Sequence, residues 1–81
     1  MNYEELSEEE LITLDRGAMS FEERQAHTQF LVKKVLWQDI IAKGLDYRVL
    51  AVNVCRYQDG YGLRQAEDVV RNEHYKNKAS N

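Results

Sequence analysis

The sequence predicts a small all-α protein, and three observations support this fold class. The 81-residue chain has no proline and only four glycines, so the turn residues that a β fold needs are scarce. Serine and glycine residues occur in the order expected for helix starts and stops. Apolar residues between them recur at helical spacing. We therefore expect one four-helix domain over residues 1–75, with a long central second helix and a C-terminal αα-hairpin, and a polar tail over 76–81.

The first predicted helix spans about residues 7–16. Ser7 and Glu10 have the spacing of a capping box, in which each side chain accepts a hydrogen bond from the backbone N–H of the other residue. The acidic side chains of the first turn also favour the positive end of the helix dipole. Gly17 follows as the stop signal.

The second predicted helix spans about residues 20–43 and is the longest. Ser20 and Glu23 form a second capping-box pattern, and Lys43 precedes the stop signal Gly44. At 1.5 Å per residue this helix is about 35 Å long. Its second half carries apolar residues on more than one face: Phe30, Leu31, Val32, Val35, Leu36, Trp37, Ile40 and Ile41. Such a broad apolar surface predicts packing against several neighbours or against another chain.

The third and fourth predicted helices span about residues 46–58 and 62–74. Asp46 is placed to cap the third helix, whose β-branched content leaves a strand as the alternative. We favour a helix because Gly60 follows as a stop and another helix begins directly afterwards. The fourth helix has a single apolar stripe, formed by Leu63, Ala66, Val69 and Val70.

Residues 49–71 read VLAVNVCRYQDGYGLRQAEDVVR, an apolar helix that ends in an arginine, then a glycine-containing turn and a second helix with an apolar pair. This segment resembles the helix–turn–helix of the C-terminal domain of ribosomal protein L7/L12. Arg56, the turn over 60–63, Ala66 and the pair Val69–Val70 match that motif. The resemblance covers about a quarter of the chain, and the remainder lacks the strands of that domain.

The resemblance implies an αα-hairpin in which Gly60 adopts positive φ and Gly62 permits close approach of the two helices. The elongation-factor surface of that family uses basic residues on these helices. Arg56 and Arg64 remain basic here, whereas Asn53 and Glu67 stand at other matching positions. We therefore transfer the hairpin geometry and not the translation function.

The charge distribution excludes some partners. The net charge is −3, so the chain as a whole is not a polyanion binder. Residues 1–23 hold eight acidic side chains and one basic one, whereas residues 24–81 hold ten basic and six acidic ones. The N-terminus has no basic-then-apolar leader, and no apolar run approaches the roughly 18 residues of a membrane span. We expect a cytoplasmic protein without membrane insertion.

No pattern of residues predicts catalysis, a metal site or a cofactor. Cys55 lies in an apolar run and is interpreted as a buried small hydrophobe. His27 and His74 are far apart in the sequence and are expected on the surface, without zinc spacing. We conclude that the chain is not an enzyme.

The leading functional hypothesis is a small non-enzymatic regulator or adaptor that binds another protein. Its general character is that of phage accessory regulators, which act on host machinery or lysis control. The expected interface is the apolar surface of the second or third helix with flanking charge: Phe30, Trp37, Ile41, Tyr47, Arg56, Arg64 and Arg71.

Two alternatives remain open. One is a helix-turn-helix regulator that binds DNA through the third and fourth helices, which Glu67, Asp68 and Glu73 disfavour because they share the fourth helix with its arginines. The other is a structural subunit of an oligomer. A homodimer would cover the same apolar surface.

Overall fold

The computed structural model describes residues 2–79, which form five α-helices and no β-strand. The helices are α1 (Glu8–Thr13), α2 (Phe21–Lys34), α3 (Trp37–Ile41), α4 (Arg48–Asp59) and α5 (Leu63–Ala79). Three 3-10 turns lie between or before them, at Tyr3–Glu5, Arg16–Ala18 and Leu45–Tyr47. The all-α class is confirmed, and the strand alternative for the third predicted helix is excluded. Within the described range, no helix is long and apolar enough to cross a membrane.

Both predicted capping boxes are present. Ser7 Oγ accepts from the Glu10 N–H at 3.1 Å, and Glu10 Oε1 accepts from the Ser7 N–H at 3.1 Å. The corresponding distances at Ser20 and Glu23 are 3.2 and 3.0 Å. Hydrogen bonds with Ser20 hold the pKa of Glu23 below its ordinary value. Helix α1 ends three residues earlier than predicted, and the segment after it contains a 3-10 turn.

The prediction of one continuous helix over 20–43 is wrong. The chain leaves the helical conformation at Val35 (φ −130°, ψ 134°) and Leu36 (φ −76°, ψ 140°), and α3 begins at Trp37. In an unbroken helix, Leu31 and Ile40 would lie about 180° apart around the axis. Both side chains are fully buried. The break therefore directs two opposite apolar faces into one core.

The side chain of Gln58 on α4 satisfies the backbone at this break. Its Nε2 donates to the carbonyls of Val32 at 3.0 Å and Val35 at 2.6 Å. Its Oε1 accepts from the N–H of Trp37 at 3.1 Å. The indole Nε1–H of Trp37 in turn donates to Asp59 Oδ2 at 2.7 Å. Helix α4 thus supplies hydrogen-bond partners to the end of α2 and the beginning of α3.

Helix α4 begins two residues later than predicted, and Asp46 does not cap it. Asp46 lies inside a 3-10 turn, and the residue before α4 is Tyr47, which makes no side-chain capping bond. At the other end, Gly60 has φ 74° and ψ 19°, which confirms the expected left-handed conformation. The space around Gly62 is open, because a Cβ at this position would have no atom within 4 Å beyond its chain neighbours. The expectation of close helix approach at that glycine is therefore wrong.

Helix α5 continues to Ala79, beyond the predicted end at 74. Lys76 to Lys78 are therefore helical, and the predicted domain boundary at 75 falls inside α5. Residues 80 and 81 of the predicted tail lie outside the described residues.

The core lies where α2 and α3 meet α4 and α5. Its buried apolar side chains are Leu11, Ile12, Leu31, Val35, Trp37, Ile40, Ile41, Leu50, Ala51, Val52, Val54, Cys55, Ala66 and Val70. The prediction that Cys55 is a buried small hydrophobe is confirmed. Burial and the neighbouring Asp59 carboxylate raise the pKa of its thiol to about 11, so the nucleophilic thiolate is disfavoured.

Candidate functional site

The apolar residues that the sequence suggested as partner contacts lie mostly in the core. Trp37 is only 4% exposed and Ile41 is fully buried. Phe30 and Tyr47 are half-buried and pack against the core. The three suggested arginines are exposed on α4 and α5: Arg56, Arg64 and Arg71. The break between α2 and α3 accounts for the broad apolar surface that suggested an uncovered patch.

A different group of apolar side chains is exposed, around the outer stripe of α4. Val49 (67% exposed) and Tyr57 (59%) lie on α4, with Asn53 between them at helical spacing. Leu63 of α5 (52%) lies on one side and Phe21 of α2 (69%) on the other. We call these five residues the α4 surface. It contains four of the seven large apolar side chains that are strongly exposed within the described residues.

A groove of about 190 Å³ separates α4 from α5 on one side of this surface. Val49 and Asn53 line it from α4, and Leu63, Glu67 and Arg71 line it from α5. The three α5 residues are spaced four apart, so they share one helix face. Because acidic and basic side chains both line this α4/α5 groove, its charge is mixed.

A second groove, of about 330 Å³, separates α2 from α4 on the other side. One stripe of α2 lines it, at positions i, i+3, i+4, i+7 and i+8: Phe21, Arg24, Gln25, Thr28 and Gln29. From α4 it is lined by Asn53, Arg56 and Tyr57, and Arg16 completes it from the 3-10 turn before α2. This α2/α4 groove has three arginines and no acidic residue in its lining.

A partly buried hydrogen-bond network fixes Arg16 in this groove. Its Nη1–H donates to His27 Nδ1 at 2.7 Å and to the Arg24 carbonyl at 3.4 Å, and its Nη2–H donates to Thr28 Oγ1 at 3.0 Å. Because a guanidinium can only donate, His27 Nδ1 must be an acceptor and its proton must lie on Nε2. That Nε2–H donates to the Leu11 carbonyl at 2.6 Å.

The electrostatics of this network are unfavourable to additional positive charge. Burial and the neighbouring Arg24 lower the pKa of Arg16. Burial also lowers the pKa of His27, with a further contribution from Arg16, although the hydrogen bond to Leu11 opposes the shift. Within residues 2–79, neither Arg24 nor Arg56 forms an ion pair through its side chain. The lining of the α2/α4 groove is therefore positively charged, and the acidic side chain of an adjoining depression that Arg16 and Arg24 also line is Asp46.

Sequence reasoning missed most of this site. The expectation that His27 is a surface residue is wrong, because its ring is fully buried and bonded at both nitrogens. His74 is half-buried. The spacing of Phe21, Arg24 and Thr28 on one helix face was a usable signal. The contribution of Arg16 was not visible, because its hydrogen bonds to the Arg24 carbonyl, His27 and Thr28 join two elements and follow no pattern in the sequence.

Comparisons of the chain with known protein families, with curated proteins and with solved structures found no match. The α4 surface and its two grooves are the features of the chain that bear on its function.

Proposed function

We propose that this protein is a small non-enzymatic regulator or adaptor that binds another protein through the α4 surface. The observation that carries the proposal is the clustering of exposed apolar side chains around the outer stripe of α4, with a groove on either side. Exposed apolar surface with a polar border is typical of a protein interface, and these four side chains are grouped around one helix. Arg56 and Arg71, which the sequence suggested as partner contacts, line the two grooves.

Helices α4 and α5, joined through Gly60, are inferred to act as one αα-hairpin that presents this surface. They pack against each other, and buried Ala66 lies on the inner side of α5. The side chains of Val49, Asn53 and Tyr57 point away from the core that the opposite face of α4 builds. Aromatic and arginine side chains, both present here, are the types that dominate binding hot spots.

Affinity capture from a lysate of the cells that produce the protein tests this proposal. The bait proteins are the wild type, Val49→Glu and, as a matched control, Leu36→Glu. Leu36 is similarly exposed (61%) but lies at the break between α2 and α3. We expect a specific protein partner to be retained by the wild type and by Leu36→Glu, and to be lost with Val49→Glu. Failure of the wild type to retain any specific protein, or loss with Leu36→Glu alone, would contradict the proposal.

A further inference from the structure

We propose that the α2/α4 groove is the docking site for a carboxylate-rich peptide segment of the partner protein, bound by the three arginines of the groove and flanked by its two exposed aromatic rings. This inference rests on the proposed function, because it specifies the chemistry of the partner that the α4 surface binds.

The positive charge of the α2/α4 groove favours an anionic ligand. The chain carries a net charge of −3, yet three guanidinium groups line one groove without a carboxylate among the lining residues. Arg24 is close enough to Arg16 to lower its pKa. Like charges held together in this way destabilise the free protein, and perturbed groups of this kind are typical of functional sites. A bound anion removes the repulsion.

The guanidinium of Arg16 is preorganised to bind a carboxylate. Hydrogen bonds to His27, Thr28 and the Arg24 carbonyl occupy three of the roughly five N–H donors of the Arg16 guanidinium. The remaining donors have no acceptor within residues 2–79. A guanidinium held in a fixed orientation loses little entropy when it binds a carboxylate with two parallel hydrogen bonds.

The other groups that line the α2/α4 groove fit a peptide better than a small inorganic anion. Phe21 and Tyr57 offer exposed rings for apolar side chains of a ligand. The amides of Gln25, Gln29 and Asn53 can donate to and accept from a peptide backbone. A segment with acidic and apolar side chains side by side therefore uses every kind of group in the groove.

Charge outside the groove argues against nucleic acid. Affinity for a phosphate backbone grows with the number of phosphates that a protein neutralises, and the groove offers only three cations. A different face of α2 carries Glu22 and Glu23, which line a separate depression with Asp15. A long polyanion that continued across α2 to this depression would meet these acidic side chains.

A second copy of the chain is the competing occupant of the groove. The acidic depression at Asp15, Glu22 and Glu23 has the complementary charge, but it is a different surface from the α2/α4 groove. Reciprocal pairing of the two surfaces would give a two-fold symmetric dimer, and head-to-tail pairing would give a ring or an open chain. Sedimentation separates these assemblies from a monomer that binds a separate acidic partner.

Selection from a display library of random 12-residue peptides, with the full chain as target, tests the inference. We expect the selected peptides to be enriched in Asp and Glu beside apolar residues. For one selected peptide made synthetically, Arg24→Glu and Arg56→Glu should each weaken binding at least about tenfold, as should replacement of its acids by amides. The matched control Lys43→Glu, at an exposed basic residue outside both grooves, should change affinity less than about twofold.

Several outcomes would overturn the inference. Peptides without acidic enrichment, no selected peptides at all, or undiminished binding by Arg24→Glu and Arg56→Glu would reject the acidic-segment chemistry. The captured partner of the wild type would still support the proposed function in that case. Tighter binding of a 12-nucleotide oligothymidylate than of the acidic peptide would assign the groove to single-stranded nucleic acid. Self-association in sedimentation experiments that Arg56→Glu abolishes would assign it to a second copy.

Discussion

His27 is buried, and its two ring nitrogens have opposite hydrogen-bonding roles. Nδ1 accepts from Arg16 and Nε2–H donates to the Leu11 carbonyl. The ring also lies 5.7 Å from that of Tyr3. A protonated imidazole cannot accept from a guanidinium, so the neutral ring holds Arg16 in the α2/α4 groove. One residue thereby links the core to the proposed binding site.

The stability of the protein should fall as the pH falls from 7.5 to 5.5. The folded-state pKa of His27 lies below its ordinary value of 6.5, which the unfolded chain retains. Below that pH the unfolded state binds more protons than the folded state, so the free energy of unfolding decreases. Arg16 and Tyr3 face the His27 ring, and Arg24 lies nearby. The lowered pKa of Glu23 affects the stability at more acidic pH. Urea unfolding at the two pH values measures the effect.

His27→Gln should flatten this part of the pH dependence. This substitution should also lower the free energy of unfolding at pH 7.5 by about 1–3 kcal/mol, because the hydrogen bonds of the ring with Arg16 and with the Leu11 carbonyl are lost. His74→Gln is the matched control and should preserve the wild-type pH profile. An unchanged pH profile in His27→Gln would show that other groups cause the dependence.

Gly60→Val should destabilise the protein by about 1 kcal/mol or more, because φ is 74° at this position and a β-branched side chain is strained there. Gly62→Ser is the matched control. The space around Gly62 is open. The Gly62 carbonyl accepts the first hydrogen bond of α5, from the Ala66 N–H at 2.9 Å. A serine at this N-cap position should leave the thermal midpoint unchanged or raise it slightly. Equal midpoints for wild type and Gly60→Val would contradict the assigned turn.

At the scale of elements, the decisive feature is the two-residue break between α2 and α3. A break leaves carbonyls at the end of one helix and N–H groups at the start of the next without intrahelical partners. Here a side chain from a third helix, Gln58 of α4, supplies partners on both sides of the break. These hydrogen bonds join α4 to the break between α2 and α3. On α4, Val49 and Tyr57 remain exposed.

Gln58→Leu should therefore lower the free energy of unfolding by about 1–3 kcal/mol, because three backbone groups lose their hydrogen-bond partner. Gln65→Leu, at an exposed position of α5, is the matched control and should change stability by less than about 0.5 kcal/mol. Chemical denaturation of both variants measures the difference. A similar small effect in both would show that the Gln58 bonds do not stabilise the break.

At the scale of the whole molecule, the distribution of charge matters more than its sum. Asp15, Glu22 and Glu23 border one depression, whereas three arginines border the groove on a different face of α2. A net charge of −3 conceals this separation. The two faces therefore present opposite charge to any partner that approaches.

Arg24→Gln should raise the thermal midpoint of the free protein slightly, because it removes repulsion with Arg16. The gain should be a few tenths of a kcal/mol, since Arg24 is exposed, and it should diminish as salt screens the repulsion. Arg64→Gln serves as the matched control, because Arg64 lies outside both grooves. A midpoint that falls in Arg24→Gln and not in Arg64→Gln would show that Arg24 stabilises the free fold.

Local sequence signals determined the helical class and several boundaries of this protein. Capping boxes at Ser7 and Ser20 and the left-handed Gly60 depend on interactions within a few residues, so the sequence contains all that they require. Cys55 was likewise recognisable as a core residue from its apolar neighbours.

Only the tertiary structure decided where the second predicted helix breaks and what its apolar faces contact. No proline or glycine marks the break at Val35 and Leu36. It forms because Gln58, 23 residues after Val35, satisfies the freed backbone groups, and because the core buries both faces. The α2/α4 groove is likewise assembled from three separate segments. Contacts between distant residues carry no local pattern, so neither feature could be predicted from spacing alone.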